Sequence, residues 1–232
     1  MSLRFDGVGD YARYQGAAGL GNTTSGTLLG LYRKEDSTAD RDIIALTRSG
    51  GGAVCRIASS TQIRVGYTAE WASSVLVNLA NNTWMGLALT LTDSQARVYT
   101  YSGGVLTLQI TDSSFFSATN LANCYFGDQG SWSDAALGCW RYGRFWSRIL
   151  TSTELEDEFA MTPASGTPAA STTNLRGSWP MANSTDTTDW SGVGNTLTIS
   201  GAVTSSDEPS IGGGAAVFIP TQYRRVNPLL RM

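Results

Sequence analysis

Three glutamates at alternate positions, Glu154, Glu156 and Glu158, form the densest acidic cluster in the chain. Two carboxylates ~5–10 Å apart across a groove are the equipment of glycoside hydrolysis, one as acid and the other as nucleophile or base. The surrounding residues argue for a different role. In ILTSTELEDEFAM the hydroxyls of residues 151–153 can cap a helix, Glu154 and Glu156 fall in its first turn, where the dipole favours negative charge, and Leu155 and Phe159 share a face. The triplet is therefore expected on the solvated side of one short helix, and no catalytic residue is assigned.

The chain has no histidine. That removes the usual general base at neutral pH and the commonest zinc and copper ligand, so Ser-His-Asp and Cys-His chemistry are excluded. Cys55, Cys124 and Cys139 are odd in number and lack CxxC spacing, so buried free thiols are expected and a structural zinc is not. Asp6 with Asp10, and Asp128 with Asp134, offer oxygen donors of the kind calcium takes, while Asx turns account for the same residues. Calcium is the one cofactor this leaves open, and no metal site is assigned.

Trp71, Trp132, Trp140, Trp146, Trp179 and Trp190 raise the question of sugar stacking, because an indole face suits the apolar side of a pyranose. Large sandwiches also need bulky core residues, and core packing is the expectation for most of these. Trp132, in the loop GDQGSWSD with Asp128 and Asp134, is the one expected at the surface as a ligand or partner contact.

The elements that would carry these residues are mostly strands. In 84–92, WMGLALTLT sets Met85, Leu87, Leu89 and Leu91 on one face against Trp84, Gly86, Ala88 and Thr90. In 62–67, Ile63, Val65 and Tyr67 oppose Gln62, Arg64 and Gly66, the pattern of a sheet with one solvated side. Further strands fit at 27–32, 43–47, 54–57, 97–101 and 105–110. Gly50-Gly51-Gly52 and Ser102-Gly103-Gly104 read as hairpin turns. The small, polar, proline-bearing stretch 162–174 reads as a surface crossing.

With 232 residues, 41% of them hydrophobic, the chain can build one large sandwich, since all-β domains commonly reach ~200–250 residues. A formal charge of −3 with 15% charged residues gives no electrostatic basis for nucleic-acid binding. No apolar run approaches the ~20 residues of a membrane-spanning helix. Residues 1–5 lack the charged and apolar regions of a secretory signal, so export by that route is not expected.

Three stretches together resemble the laminin-G-like or pentraxin-like branch of the concanavalin A-like superfamily. LRFDGVGDYARY (3–14) is similar to the family's opening strand pair, NTWMGLALTLTDSQARVYTYSGGVL (82–106) to its central hairpin, and YFGDQGSWSDAALGCWRYGRFWSRILTSTELEDEF (125–159) to its closing strands and helix. LRGSWPMANSTDTTDWSGVGNTLTISGAV (175–203) resembles a segment that in many relatives precedes the opening strand. Here it comes last, and it is expected to complete the sandwich as a permuted strand. Gly138-Cys139-Trp140-Arg141-Tyr142 stands where relatives carry an acidic pair, so the calcium or glycan role of that pair does not transfer.

The fold class this implies is all-β: a two-sheet antiparallel jelly-roll sandwich with one short helix and a C-terminal extended arm. Residues 1–208 would form the domain and 209–232 the arm. Phe218, Ile219, Leu229 and Leu230 are too apolar for a solvated tail, and Tyr223, Arg224, Arg225 and Arg231 share the segment, so docking on a neighbouring subunit is expected.

The resemblance then implies a non-enzymatic virion component of a tailed phage, a head decoration or tail or fibre protein. It would be made in the host cytoplasm without a signal peptide, with other virion subunits as partners in an oligomer. The alternative is a carbohydrate-binding, lectin-like module recognising host-surface glycans. Neither reading calls for nucleic acid or membrane insertion.

Overall fold

A computed structural model of the chain describes residues 1–7, 9–15, 20, 23–35, 41–48, 51–59, 62–67, 70–76, 79–113, 120–128, 137–160, 168–207 and 209. The strands run in chain order β1 (Ser2–Phe5), β2 (Tyr11–Gln15), β3 (Ser25–Lys34), β4 (Arg41–Arg48), β5 (Gly51–Ser59), β6 (Gln62–Tyr67), β7 (Glu70–Leu76), β8 (Trp84–Thr92), β9 (Ala96–Ser102), β10 (Val105–Asp112), β11 (Asn123–Gly127) and β12 (Gly138–Trp146). Helix α1 (Ser152–Ala160) follows, then β13 (Leu175–Trp179), β14 (Thr198–Ser200) and β15 (Val203–Ser205).

They form two antiparallel sheets packed as a sandwich. One has the order β10-β9-β8-β3-β12-β1-β15, with β13 beside β12; the other has the order β14-β2-β11-β4-β5-β6-β7. Between them lies a core that takes Leu28, Leu46, Leu89, Phe126, Trp140 and Trp179 among others. The Phe126 ring meets Trp140 edge-on at 5.0 Å and Trp179 at 6.2 Å, geometries that suit aromatic quadrupoles. The expected strands 62–67 and 84–92 occur at those bounds, and the others run slightly longer than expected. Gly103 and Gly104 both hold positive φ, the requirement of a two-residue type I′ hairpin turn between β9 and β10.

The β8 pattern explains how the helix docks. Met85, Leu87, Leu89 and Leu91 enter the sandwich core, while Trp84 and Ala88 join a second apolar layer on the outer face with Leu31, Trp146, Leu155 and Phe159. Phe159 of α1 seats on Gly86, where any Cβ would overlap its ring, and it stacks on Tyr101 at 5.6 Å. One sheet is thus buried on both faces, and the other carries no described helix.

Three late strands reach back across the fold. Trp179 of β13 pairs with Gly143, Ile199 of β14 with Ala12, and Thr204 of β15 with Leu3, so the segment after α1 contributes to both sheets. Residues 168–174 carry no strand. Among the described residues, no helix is long and apolar enough to cross a membrane.

Candidate functional site

The glutamate triplet is divided by the helix. Thr151 Oγ1 accepts from the Glu154 N–H (3.2 Å) and Glu154 Oε2 accepts from the Thr151 N–H (2.9 Å), a reciprocal capping box. Arg148 donates to both Glu154 oxygens, and with the cap it holds that carboxyl at about 2. Glu156 is exposed. Glu158 corrects the expectation of a solvated face: it is buried, paired with Arg144 of β12, and accepts the Ala170 N–H at 2.6 Å. Burial raises its pKa against the pull of Arg144. Three residues after Leu155, Glu158 shares the inward face of α1 with Leu155 and Phe159, within reach of an arginine from the sheet. The arrangement pins α1 and the 168–174 crossing to the sheet.

A second acidic cluster lies on the same sheet. Oxygens of Glu35 and Asp207 and the Cys139 sulfur come within 4.8 Å of one another, a spacing that could suit a metal. Two guanidinium groups already occupy that role. Arg4 Nε donates to Glu35 at 2.8 Å, and Arg33 pairs with Glu35 and with Asp207, the latter at 2.8 Å. A cation would have to displace both arginines, so the cluster reads as a charge network tying β1, β3 and β12 to the end of β15. Cys139 lies buried within it, and its thiol is raised by desolvation. Cys55 and Cys124 are buried as well, with thiols pushed up to about 12.

The helix-free sheet presents a different surface. On β2, Ala12 enters the core, which turns Tyr11 and Arg13 outward; on β11, Cys124 and Phe126 enter, which turns Asn123 and Tyr125 outward. Register sets Arg13 directly opposite Tyr125, and Tyr125 opposite Ala45 of β4. The Arg13 guanidinium lies over the Tyr11 ring at 4.5 Å. Tyr125 shares side-chain hydrogen bonds with Thr47 and Arg13, and burial raises its pKa, so its hydroxyl stays protonated. Arg13 Nε is buried without a hydrogen-bond partner, and among the described residues no carboxylate pairs with Arg13. Tyr125 is itself buried, in a small cluster with Ala45 and Val54, whereas Tyr11 and Arg13 are half-buried. It is therefore the Arg13 guanidinium on Tyr11 that can offer a planar, charged fork to an anionic oxygen pair.

Trp140, Trp146 and Trp179 are fully buried, in keeping with core packing. Trp190 departs from that expectation: 56% of it is exposed. Its signal in the sequence was Asp189 before it and Ser191, Gly192 and Gly194 after it, the chemistry of a tight exposed turn. Trp132 and Asp134 lie outside the described residues, as do the arm residues Phe218, Ile219, Tyr223, Arg224, Arg225, Leu229, Leu230 and Arg231. Asp128 is buried, and its N–H bonds the Asp10 carbonyl at 3.0 Å. Asp10 Oδ2 accepts the N–H groups of Asp6 and Gly7, which is turn chemistry. The tyrosine and arginine site was invisible to sequence reasoning because it depends on a register between strands more than a hundred residues apart.

No protein-family model matches the chain, and no curated protein matches it. Solved structures do. A Bacteroides ovatus protein provisionally named as carbohydrate binding is 16% identical with a TM-score of 0.60; the match covers 91% of this chain and 62% of that one, so the chain spans less than two thirds of that protein. A native heptameric SAP-like pentraxin from Limulus polyphemus is 13% identical over 88% of this chain and 95% of its own, with a TM-score of 0.54. The CBM40 of Ruminococcus gnavus IT-sialidase, bound to α2,3-sialyllactose, is 14% identical over 69% and 96%, with a TM-score of 0.50. The likeness is one of fold: two antiparallel sheets in a jelly-roll-like sandwich.

Proposed function

We propose that this chain is a non-catalytic carbohydrate-binding domain whose ligand, a glycan bearing a carboxylate, meets the helix-free sheet at the half-buried Tyr11 and Arg13, with the buried Tyr125 hydrogen-bonded to Arg13. The observation that carries the reading is Arg13, stacked on one tyrosine, bonded to another and without a carboxylate partner among the described residues. A guanidinium so placed has already lost much of its hydration and rotamer freedom, so less is lost when an anion arrives. The fold is shared with the Ruminococcus domain bound to a sialylated sugar, which supports the same ligand class.

Binding is favoured over hydrolysis because several enclosed acids are committed elsewhere. The buried Glu158 and Asp42 are held by arginines, and the buried Asp10 and half-buried Asp189 by main-chain N–H groups. The arm at 209–232 motivates a further setting, in which the domain is a subunit of a tailed-phage virion and acts there as an adhesin. None of the three similar structures is a virion protein, so glycan binding stands ahead of assembly.

Calorimetric titration with 3′-sialyllactose and oligoglucuronates, against lactose as neutral control, tests the site. Wild type should bind an acidic glycan in a salt-sensitive way, and Arg13→Ala should weaken it by roughly tenfold or more, as losing a charge-assisted pair would. Equal affinity in Arg13→Ala, or no acidic glycan bound by wild type, would sink the proposal.

A further inference from the structure

The loop at 186–195 joins β13 in one sheet to β14 in the other and carries the exposed Trp190. A surface indole is ordinarily expensive to leave in water, and three other tryptophans here are fully buried. Val193, three residues on, is also exposed.

The loop is rigid by construction. The Asp189 carboxylate accepts N–H groups from Ser178 (2.9 Å), Ser191 (2.8 Å), Gly194 (3.0 Å) and Asn195 (2.8 Å), and the Ser191 hydroxyl at 2.8 Å. The Trp190 N–H donates to the Ser178 carbonyl at 2.7 Å, so the backbone under the ring is fastened to β13. Behind it, the buried Trp179 Nε1 donates to the Asn195 carbonyl at 2.6 Å, linking the loop to the core. Gly192 and Gly194 hold positive φ with open space where a Cβ would project, so nothing described crowds that side of the turn. An exposed ring on a pedestal of this kind meets a ligand with little ordering left to do.

Charge narrows the partner. Between residues 183 and 197 there is no lysine or arginine, and the two acids, Asp186 and Asp189, both accept main-chain N–H groups. The loop's own polar side chains are mostly hydroxyls: Ser184, Thr185, Thr187, Thr188 and Ser191. The loop itself offers no cation to a polyanion or an acidic membrane. A neutral sugar ring offers both complements, C–H groups for the indole face and hydroxyls for the rim.

We infer that Trp190 and its loop form a second binding site, for the apolar face of a neutral hexose or pentose in a glycan chain. It shares no residue with the Arg13 site, and either can fail without the other. The chain then grips a glycan at two points of different chemistry, which raises avidity when one chain of sugar spans both.

The test uses the full chain with cellohexaose, mannohexaose and xylohexaose as neutral probes. At least one should protect Trp190 fluorescence from acrylamide and shift its sugar-ring proton resonances upfield. Trp190→Ala should lose that binding by roughly tenfold or more with an unchanged melting temperature, and Trp190→Phe should retain part of it. Arg13→Ala should leave neutral-sugar binding within about twofold, which separates this site from the other. Unchanged neutral-sugar binding in Trp190→Ala, no protection by any of the three probes, or burial of Trp190 in phosphatidylcholine vesicles instead would overturn the inference.

Discussion

Replacing Glu158 by alanine should unfold the domain far more readily than its place in an acidic, surface-looking helix suggests. The side chains of Arg144 and Glu158 are 5% and 0% exposed, so the substitution strips a buried guanidinium of the carboxylate it pairs with. Breaking a buried pair from one side costs about 3–5 kcal/mol, out of a total stability of ~5–15 kcal/mol for a domain. The Ala170 N–H, bonded to Glu158 at 2.6 Å, loses its acceptor in the same step. At ~2–4 °C per kcal/mol for this size, the melting temperature should fall by about 6–20 °C.

Desolvation is the larger influence on the Glu158 pKa, ahead of the attraction to Arg144, so the intact pair itself contributes little net stability. The double variant Arg144→Met, Glu158→Leu should therefore regain most of what Glu158→Ala loses, and Glu158→Gln, which keeps an acceptor for Ala170, should fall between. Urea denaturation followed by tryptophan fluorescence measures all three. A loss under ~1 kcal/mol in Glu158→Ala would refute the reasoning. It would return Glu158 to the pool of expendable carboxylates from which a hydrolase recruits.

Other outcomes follow from the same geometry. Glu154 has a folded pKa of about 2, below its ordinary 4.5, so its contribution is present above about pH 4.5 and lost as the pH falls to about 2. The stability gap between wild type and Glu154→Gln should close over that interval, and being partly exposed it should not exceed ~1–2 kcal/mol at neutral pH. A gap that persists at pH 2 would count against the capping box. Cys55, Cys124 and Cys139 should react with a thiol reagent only after unfolding, since all three are buried and raised; fast labelling of the native chain would contradict the packing. Because every described strand pairs within residues 2–205, deleting 210–232 should leave the melting temperature within a few degrees while light scattering reports any loss of an oligomer. Collapse of the truncated chain would make the arm part of the sandwich.

Where alternation is clean and the strand meets a sequence neighbour, the fold was legible from residues alone: β6, β8, and the β9–β10 hairpin with its two glycines. Strand β12 was not. GCWRYGRFW is covered on both faces, and a register shift between Arg141 and Arg144 breaks the period, so only the likeness to a known family pointed to it. Strands β13 to β15 are three to five residues long and gain their order from partners across the chain, such as Leu3 and Ala12. Helix α1 was legible in its cap and its Leu155 and Phe159 face, and illegible at Glu158, because nothing local announces an arginine 14 residues back on a strand.

The binding surfaces follow the same division. Arg13 is an ordinary arginine until β11 sets Tyr125 opposite it, and a residue pair of that kind exists only in the register of the sheet. Trp190 is the reverse case, since the Asp, Ser and two Gly residues around it specify a largely self-bonded turn, fastened to β13 at Ser178. What that local signal leaves open is whether the ring folds back onto the core. The pedestal bears on it: the Trp190 N–H is tied to Ser178, Trp179 is the indole that takes the core position and bonds Asn195, and the Trp190 ring stays exposed.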